Sequence, residues 1–119
     1  MGFLKRTTTD TSIVPVDPDI AAIEGMRRAG ADPRVPHRTR HFLYAPGVKA
    51  AQQLARALKS ADRDIEIDTS ARKGFWLVVV RQKMLVTPES IAGLRTEFEA
   101  AARPLGGEYD RWQVDVAGE

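Results

Sequence analysis

The sequence predicts an α+β fold of the ferredoxin-like, split β-α-β type, with a four-stranded antiparallel sheet, two helices on one face and an added N-terminal helix. Three observations predict it. Residues 75–80 form the longest uninterrupted run of aromatic and branched apolar residues, which suits a central strand. Residues 63–69 alternate strictly between apolar and charged, as a half-buried strand does. Two amphipathic helical stretches, 46–59 and 88–105, lie between predicted strands.

The N-terminal helix is predicted from its start, its stripe and its end. Asp17-Pro18-Asp19 combines an N-cap residue, a proline at the first helical position and an acid in the first turn. Apolar residues recur at threes along a narrow stripe, and Gly30 suits the stop. The stripe consists of Ile20, Ile23 and Met26. A helix of about three turns must lie against the rest of the protein to be stable.

The remaining elements follow from similar local signals. A strand is expected at 37–44, polar at its start and apolar at its end, and Pro46-Gly47 breaks it before the first main helix. The strand at 63–69 forms a hairpin with the apolar run. Thr87-Pro88-Glu89 starts the second main helix, Gly106-Gly107 ends it, and residues 108–116 alternate as a last strand.

Right-handed crossovers predict the sheet order 4-1-3-2, with both main helices on one face. The rows that would meet the helices are Phe42, Tyr44, Ile65, Ile67, Trp76, Val78, Val80, Trp112, Val114 and Val116. The opposite face would carry His41, Leu43, Phe75, Leu77, Val79, Tyr109 and Arg111. Both rows of the first strand are mixed, so its facing is left open.

The second sheet face is too apolar to be left fully in water, and such a patch usually marks a binding surface. The N-terminal helix, a partner or a second copy of the chain could cover it. A monomer and a homodimer are therefore both retained.

Length and composition indicate one globular domain, assigned to residues 17–119, preceded by a flexible arm at residues 1–16. The chain has no cysteine, which excludes disulfides, thiolate zinc sites and a thiol nucleophile. No apolar run approaches the roughly 18 residues of a membrane span, and the N-terminus has no signal-peptide apolar region. We expect a cytoplasmic protein.

The charge is uneven along a nearly balanced chain. The net charge is +2, but residues 35–61 contain five basic and no acidic residues. This segment could attract an acidic partner or RNA, or it could be a solvated helix face and strand end.

No constellation for catalysis, a cofactor or a metal is visible. His37 and His41 would lie about 13 Å apart on a strand, with no third ligand in register. Asp64, Glu66 and Asp68 alternate on one strand face, where an acidic edge that prevents pairing with other chains is the simpler interpretation. We expect no enzyme activity.

RNA binding is kept as an alternative, because RNA-binding modules of this topology stack bases on aromatic residues of the two central strands. Phe42, Tyr44 or Phe75 could act in that way. The glycine-and-aromatic strand signature of those modules is missing at residues 74–77, and core packing explains these aromatic residues equally well.

Several segments between residues 17 and 116 resemble the family of regulator of ribonuclease activity B, the ribonuclease E inhibitors. They are Gly30-Ala31-Asp32-Pro33-Arg34, His41-Phe42-Leu43-Tyr44, Phe75-Trp76, Thr87-Pro88-Glu89 and Gly106-Gly107-Glu108-Tyr109-Asp110-Arg111-Trp112. The family usually has glycine at the position of Arg111.

The resemblance implies a non-enzymatic, ferredoxin-like protein that binds the C-terminal scaffold region of an RNA-degrading endonuclease and lowers or redirects its activity. Glu108-Tyr109-Asp110 would suit an Arg-rich peptide, with an aromatic anchor between two carboxylates. The residues expected to bind the partner are Glu108, Tyr109, Asp110, Arg111, His41 and Phe75. For Tyr109, packing at the start of the last strand is the equal alternative.

Overall fold

The computed structural model describes residues 17–115, apart from the Asp115 side chain, and shows an α+β fold. It contains a four-stranded antiparallel sheet and three α-helices. The arm predicted at residues 1–16 and the predicted inward side chain of Val116 lie outside these residues.

The elements follow the predicted succession along the chain. They are α1 (Pro18–Arg28), β1 (His37–Pro46), α2 (Val48–Leu58), β2 (Arg63–Thr69), β3 (Phe75–Met84), α3 (Pro88–Ala102) and β4 (Glu108–Asp115). The sheet order is β2-β3-β1-β4, which is the predicted order 4-1-3-2 read from the other edge.

Two helix starts form by the predicted caps. The Asp17 side chain accepts a hydrogen bond from the backbone N–H of Asp19 at 2.9 Å. Thr87 and Ser90 form a reciprocal capping box, in which each side chain accepts from the other residue's backbone N–H. These local bonds set where α1 and α3 begin, because they satisfy N–H groups that have no partner within the helix.

The core lies between one face of the sheet and the layer formed by α2 and α3. Its largest fully buried side chains come from both helices and from the two central strands. They are Phe98, Leu43, Leu54, Leu58, Ile91, His41, Val78, Val80 and Thr39. The central position of β3 agrees with the interpretation of its apolar run.

The N-terminal helix packs beside α3 and does not cover the opposite sheet face. Ile23 and Met26 are buried in the core cluster. The Asp19 carboxylate accepts hydrogen bonds from the Arg95 guanidinium of α3 at 2.8 Å and from the Trp112 indole N–H at 2.8 Å. Of the three elements that could cover the sheet face opposite the helices, α1 is therefore excluded.

The two rows of β1 point to the opposite sides of the sheet from those given in the sequence analysis. His41 and Leu43 are fully buried toward the helices, whereas Phe42 and Tyr44 lie on the opposite face and are half-buried. The pairing with β3 explains the difference, because Leu43 lies opposite Val78 and His41 opposite Val80, in the row that meets the helices.

Tyr109 was also expected on the opposite face, and a bulge in β4 corrects that expectation. The pairing with β1 shifts between Phe42, which faces Arg111, and Leu43, which faces Tyr109, so Asp110 is the additional residue. The bulge turns both Tyr109 and Trp112 toward the core, where they are 8% and 9% exposed.

The turn before β4 requires its two glycines. Gly106 has φ of 75°, in the left-handed region that favours glycine. A Cβ on Gly107 would lie 2.5 Å from the carbonyl oxygen of Tyr44. The close approach brings β4 alongside β1 directly after α3.

Candidate interaction surface

The sheet face opposite the helices is here called the open face. On it, the two central strands β1 and β3 carry five residue pairs, three apolar pairs followed by two cationic ones. The pairs are Pro46–Phe75, Tyr44–Leu77, Phe42–Val79, Arg40–Arg81 and Arg38–Lys83. The first three form the apolar end of the open face and the last two its cationic end.

The apolar end is covered only in part. Val79 is 6% exposed, but Phe42, Tyr44, Phe75 and Leu77 are half-buried. The Tyr44 and Phe75 rings meet edge to face, with centroids 6.5 Å apart. These side chains form a contiguous apolar area that no helix of residues 17–115 covers.

Two arginines lie over the rings of this area. The Arg72 guanidinium carbon is 3.9 Å from the Phe75 ring centroid and 5.3 Å from that of Tyr44. It also forms an ion pair with Glu108 at 3.1 Å. The same arrangement recurs on β4, because Arg111 lies 4.2 Å from the Phe42 centroid and 3.5 Å from the Asp110 carboxylate.

The cationic end is an open groove of about 500 Å³. It is lined by Arg38, Thr39, Arg40, Asp62, Asp64, Arg81, Gln82 and Lys83. Arg81 forms an ion pair with Glu66 at 2.7 Å. Arg38 and Lys83 are exposed, and neither forms an ion pair with another residue in the part of the chain that the structure describes.

The acidic row of β2 borders the open face at the edge of the sheet. Asp64, Glu66 and Asp68 are exposed and point to the open side, while Ile65 and Ile67 pack toward the helices. This is the predicted alternation of that strand. Within residues 17–115, no group of three or more His, Cys, Asp or Glu side chains could hold a metal ion.

Two of the predicted binding residues, His41 and Tyr109, form a buried pair. The Tyr109 hydroxyl lies 3.1 Å from His41 Nδ1, and Thr39 Oγ1 lies 3.0 Å from His41 Nε2. Because Thr39 donates its hydroxyl proton to the Gln82 carbonyl oxygen at 2.8 Å, Nε2–H donates to Thr39 and Nδ1 accepts from Tyr109. Each polar atom of the pair thus has a partner.

The electrostatics of this pair agree with a neutral imidazole. Burial, with smaller contributions from Arg63 and Arg95, lowers the pKa of His41 to about 4. Burial also raises the pKa of the Tyr109 hydroxyl. Both groups are therefore uncharged near neutral pH, and they lie in the core and not on the surface where they were expected.

The other predicted binding residues are on the surface. Glu108, Asp110 and Arg111 are exposed, and Phe75 lies at the apolar end of the open face. The structure adds residues that were not among the six expected to bind the protein partner. These are Arg38, Arg40, Phe42, Tyr44, Arg72, Leu77, Arg81 and Lys83. All but Arg72, which lies in the loop before β3, are at alternate positions of β1 and β3, and the orientation of β1 was needed to place them on one face.

No helix among the described residues is both long and apolar enough to cross a bilayer. A search of curated proteins finds no match. The model of one protein family, described as regulator of ribonuclease activity B (RraB), matches residues 17–114. This range spans every helix and strand of the structure except the last residue of β4. The chain therefore belongs to the RraB family, a family of regulators of ribonuclease activity and not a catalytic family.

Proposed function

We propose that this protein is a non-enzymatic regulator that binds a ribonuclease E-type endoribonuclease and modulates its cleavage of RNA. The observation that carries the proposal is the family match over residues 17–114. We also assign the fold to the ferredoxin-like class, from its element succession and strand order. For a protein that controls RNA decay we propose a cytoplasmic location.

The open face supports a binding function. Its apolar end carries half-buried aromatic and aliphatic side chains on the two central strands, and arginines lie over its rings. Aromatic residues and arginine are enriched in protein interfaces, and Tyr and Arg are among the types that dominate binding energy there. We therefore propose the open face as the surface that contacts the endonuclease.

The buried polar groups have structural partners. His41 is neutral and hydrogen-bonded on both ring nitrogens, and His37 donates from Nε2 to the Asp32 carbonyl oxygen at 2.8 Å. Asp19 is held by Arg95 and Trp112. These bonds support a protein that acts through its surface.

Calorimetry with the purified chain and the full endonuclease tests the proposal. We expect saturable binding, and a changed cleavage rate on a labelled RNA when the chain is in excess. The matched variants are Phe42→Asp with Leu77→Asp on the open face, and Gln52→Asp with Gln53→Asp on the exposed side of α2. Only the first pair should weaken binding. Absence of both binding and any rate change at tens of micromolar would contradict the proposal.

Self-association through the apolar end is the second candidate, favoured by its half-buried aromatic and aliphatic side chains. Light scattering at increasing concentration measures the solution mass of the wild type and of Phe42→Asp with Leu77→Asp. A dimer that the variant abolishes, together with no endonuclease binding, would favour this candidate.

A further inference from the structure

We infer that the open face receives an acidic segment of the partner protein, with its carboxylates at the cationic end and its apolar side chains at the apolar end. The inference rests on the proposed function, because it specifies the chemistry of the partner at that surface. It differs from the Arg-rich segment that the motif around Tyr109 suggested.

Two pairs of like charges lie directly opposite each other on the central strands. Arg38 lies directly opposite Lys83, and Arg40 directly opposite Arg81. Directly opposed side chains of this kind have Cβ atoms roughly 5 Å apart, and like charges there are destabilising. Glu66 offsets the charge of Arg81 in the second pair, whereas Arg38 and Lys83 have no ion pair among the described side chains, so a bound carboxylate would relieve their repulsion.

Several acidic residues around the open face already neutralise an arginine of the protein. Glu66 pairs with Arg81, Glu108 with Arg72, and Asp110 with Arg111. Arg38 and Lys83 have no ion pair with any described side chain of residues 17–114.

Asp62 and Asp64 also line the groove, so the cationic end is not purely basic. Asp62 is hydrogen-bonded by Ser60, and Gln82 donates to it at 3.4 Å. Asp64 lies opposite Arg81 on the edge strand β2, which β3 separates from β1. The cations without an ion pair are therefore Arg38 of β1 and Lys83 of β3, and the register places Asp115 of β4 on the other side of Arg38.

The arginines over the aromatic rings favour a carboxylate-bearing peptide over RNA as the ligand. A base would have to stack on Phe42, Tyr44 or Phe75. The guanidinium groups of Arg111 and Arg72 lie over those rings at 4.2 and 3.9 Å, in the place of a base. Each of these guanidiniums already pairs with a carboxylate of the chain, Asp110 for Arg111 and Glu108 for Arg72.

The register gives the spacing of the expected segment. Arg38 and Phe42 are four residues apart on one strand, which is about 13 Å. An extended partner segment covers the same distance with about four residues. It should carry carboxylates roughly four residues from bulky apolar side chains.

Three fluorescent probes test this inference by anisotropy. Two are 12-residue peptides with the same Trp and Leu anchors, one with Glu and one with Lys at four charged positions. The third is a 12-nucleotide oligouridylate. We expect the Glu peptide to bind at least tenfold more tightly than the other two, with an affinity that falls as salt rises.

The decisive variant is Arg38→Glu, which replaces a like-charge pair by a Glu–Lys pair. We expect an unchanged or raised Tm and at least a fivefold loss of affinity for the Glu peptide. Lys83→Glu should act in the same way. Lys49→Glu on α2, an equal charge change away from the open face, should leave the Tm close to that of the wild type and the affinity for the Glu peptide within twofold of it.

The outcomes separate this inference from the proposed function. If wild type binds the endonuclease and Arg38→Glu binds it equally well, the inference fails and the proposed function stands. If the Glu peptide binds through Arg38 but the endonuclease does not bind, the proposed function fails alone. Equal or tighter binding of the Lys peptide or the oligouridylate would overturn the inference.

Discussion

The two faces of the sheet are built from alternate residues of the same strands and differ in how their polar groups are matched. On the helix side, His41 and Thr39 are fully buried, and each polar atom has a hydrogen-bond partner. On the open face, Arg38 lies opposite Lys83 without a counter-ion among the described residues. One face thus contributes stability, while the other retains an unfavourable arrangement that a partner would relieve. The following variants measure that difference.

The largest difference is expected between two phenylalanines. Phe98→Ala removes a fully buried ring that contacts His41 and Tyr109, and should lower the free energy of unfolding by about 4 kcal/mol. Phe42→Ala on the open face removes a half-buried ring under Arg111 and should cost about 1 kcal/mol. Urea denaturation measures both. Equal losses would mean that Phe42 belongs to a packed core.

The next effect is a pH dependence from the buried histidine. Burial is the main cause that lowers the pKa of His41 from 6.5 to about 4 in the folded state. Above pH 6.5 both states are neutral there, and stability is unaffected. As pH falls from 6.5 to 4, the unfolded chain binds a proton that the folded chain does not, so up to about 3 kcal/mol of stability is lost.

Denaturation of wild type and His41→Gln across pH 7 to 4 isolates this contribution, because the carboxylates titrate in both proteins. The difference between the two should shrink as pH falls. A constant difference would show that His41 does not resist protonation.

A smaller loss is expected where α1 meets the helical layer. Burial alone would raise the pKa of Asp19, but the hydrogen bonds from Arg95 and Trp112 outweigh it and lower that pKa. Asp19→Asn removes the charge that pairs with Arg95 and should cost about 2 kcal/mol. This stability is fully present above the ordinary carboxyl pKa of 3.8, so the loss should begin to shrink only as pH falls below 3.8 toward the lower folded-state pKa of Asp19. Unfolding at pH 7 and pH 3 measures it, and no loss at pH 7 would argue that α1 is not docked through this pair.

The smallest effect should come from the open face. Glu66→Gln removes the partner of Arg81 in an exposed ion pair and should change stability by less than about 1 kcal/mol. It should increase affinity for the Glu peptide, because Arg81 becomes available. Chemical denaturation and peptide anisotropy give the two quantities. Weaker peptide binding in this variant would contradict the assignment of the cationic end.

Most of the fold could be predicted from local signals. The apolar run before Arg81, the alternation between Arg63 and Thr69, and the caps at Asp17 and Thr87 depend on neighbouring residues. The strand order then follows from connection lengths and handedness. The candidate surface was harder to predict than the fold. Of the six residues expected to bind the partner, only Phe75, Glu108, Asp110 and Arg111 are on the surface.

The misplaced residues have a common cause in pairing between distant strands. Both rows of β1 mix polar and apolar residues, so hydrophobicity did not indicate that the row of His41 turns inward. That row is accommodated because Thr39 and Tyr109 supply hydrogen bonds to the imidazole. The bulge at Asp110 then reverses the side on which Tyr109 lies, and its position depends on register with β1.

The amino-acid sequence by itself determined the elements, their order in the sheet and the family resemblance, because these depend on periodicity, capping and short motifs along the chain. The tertiary structure alone decided which row of β1 meets the helices, where α1 packs and which cations come together opposite one another. Those features depend on hydrogen-bond partners and register supplied by segments far apart in the chain, so a local sequence pattern does not predict them.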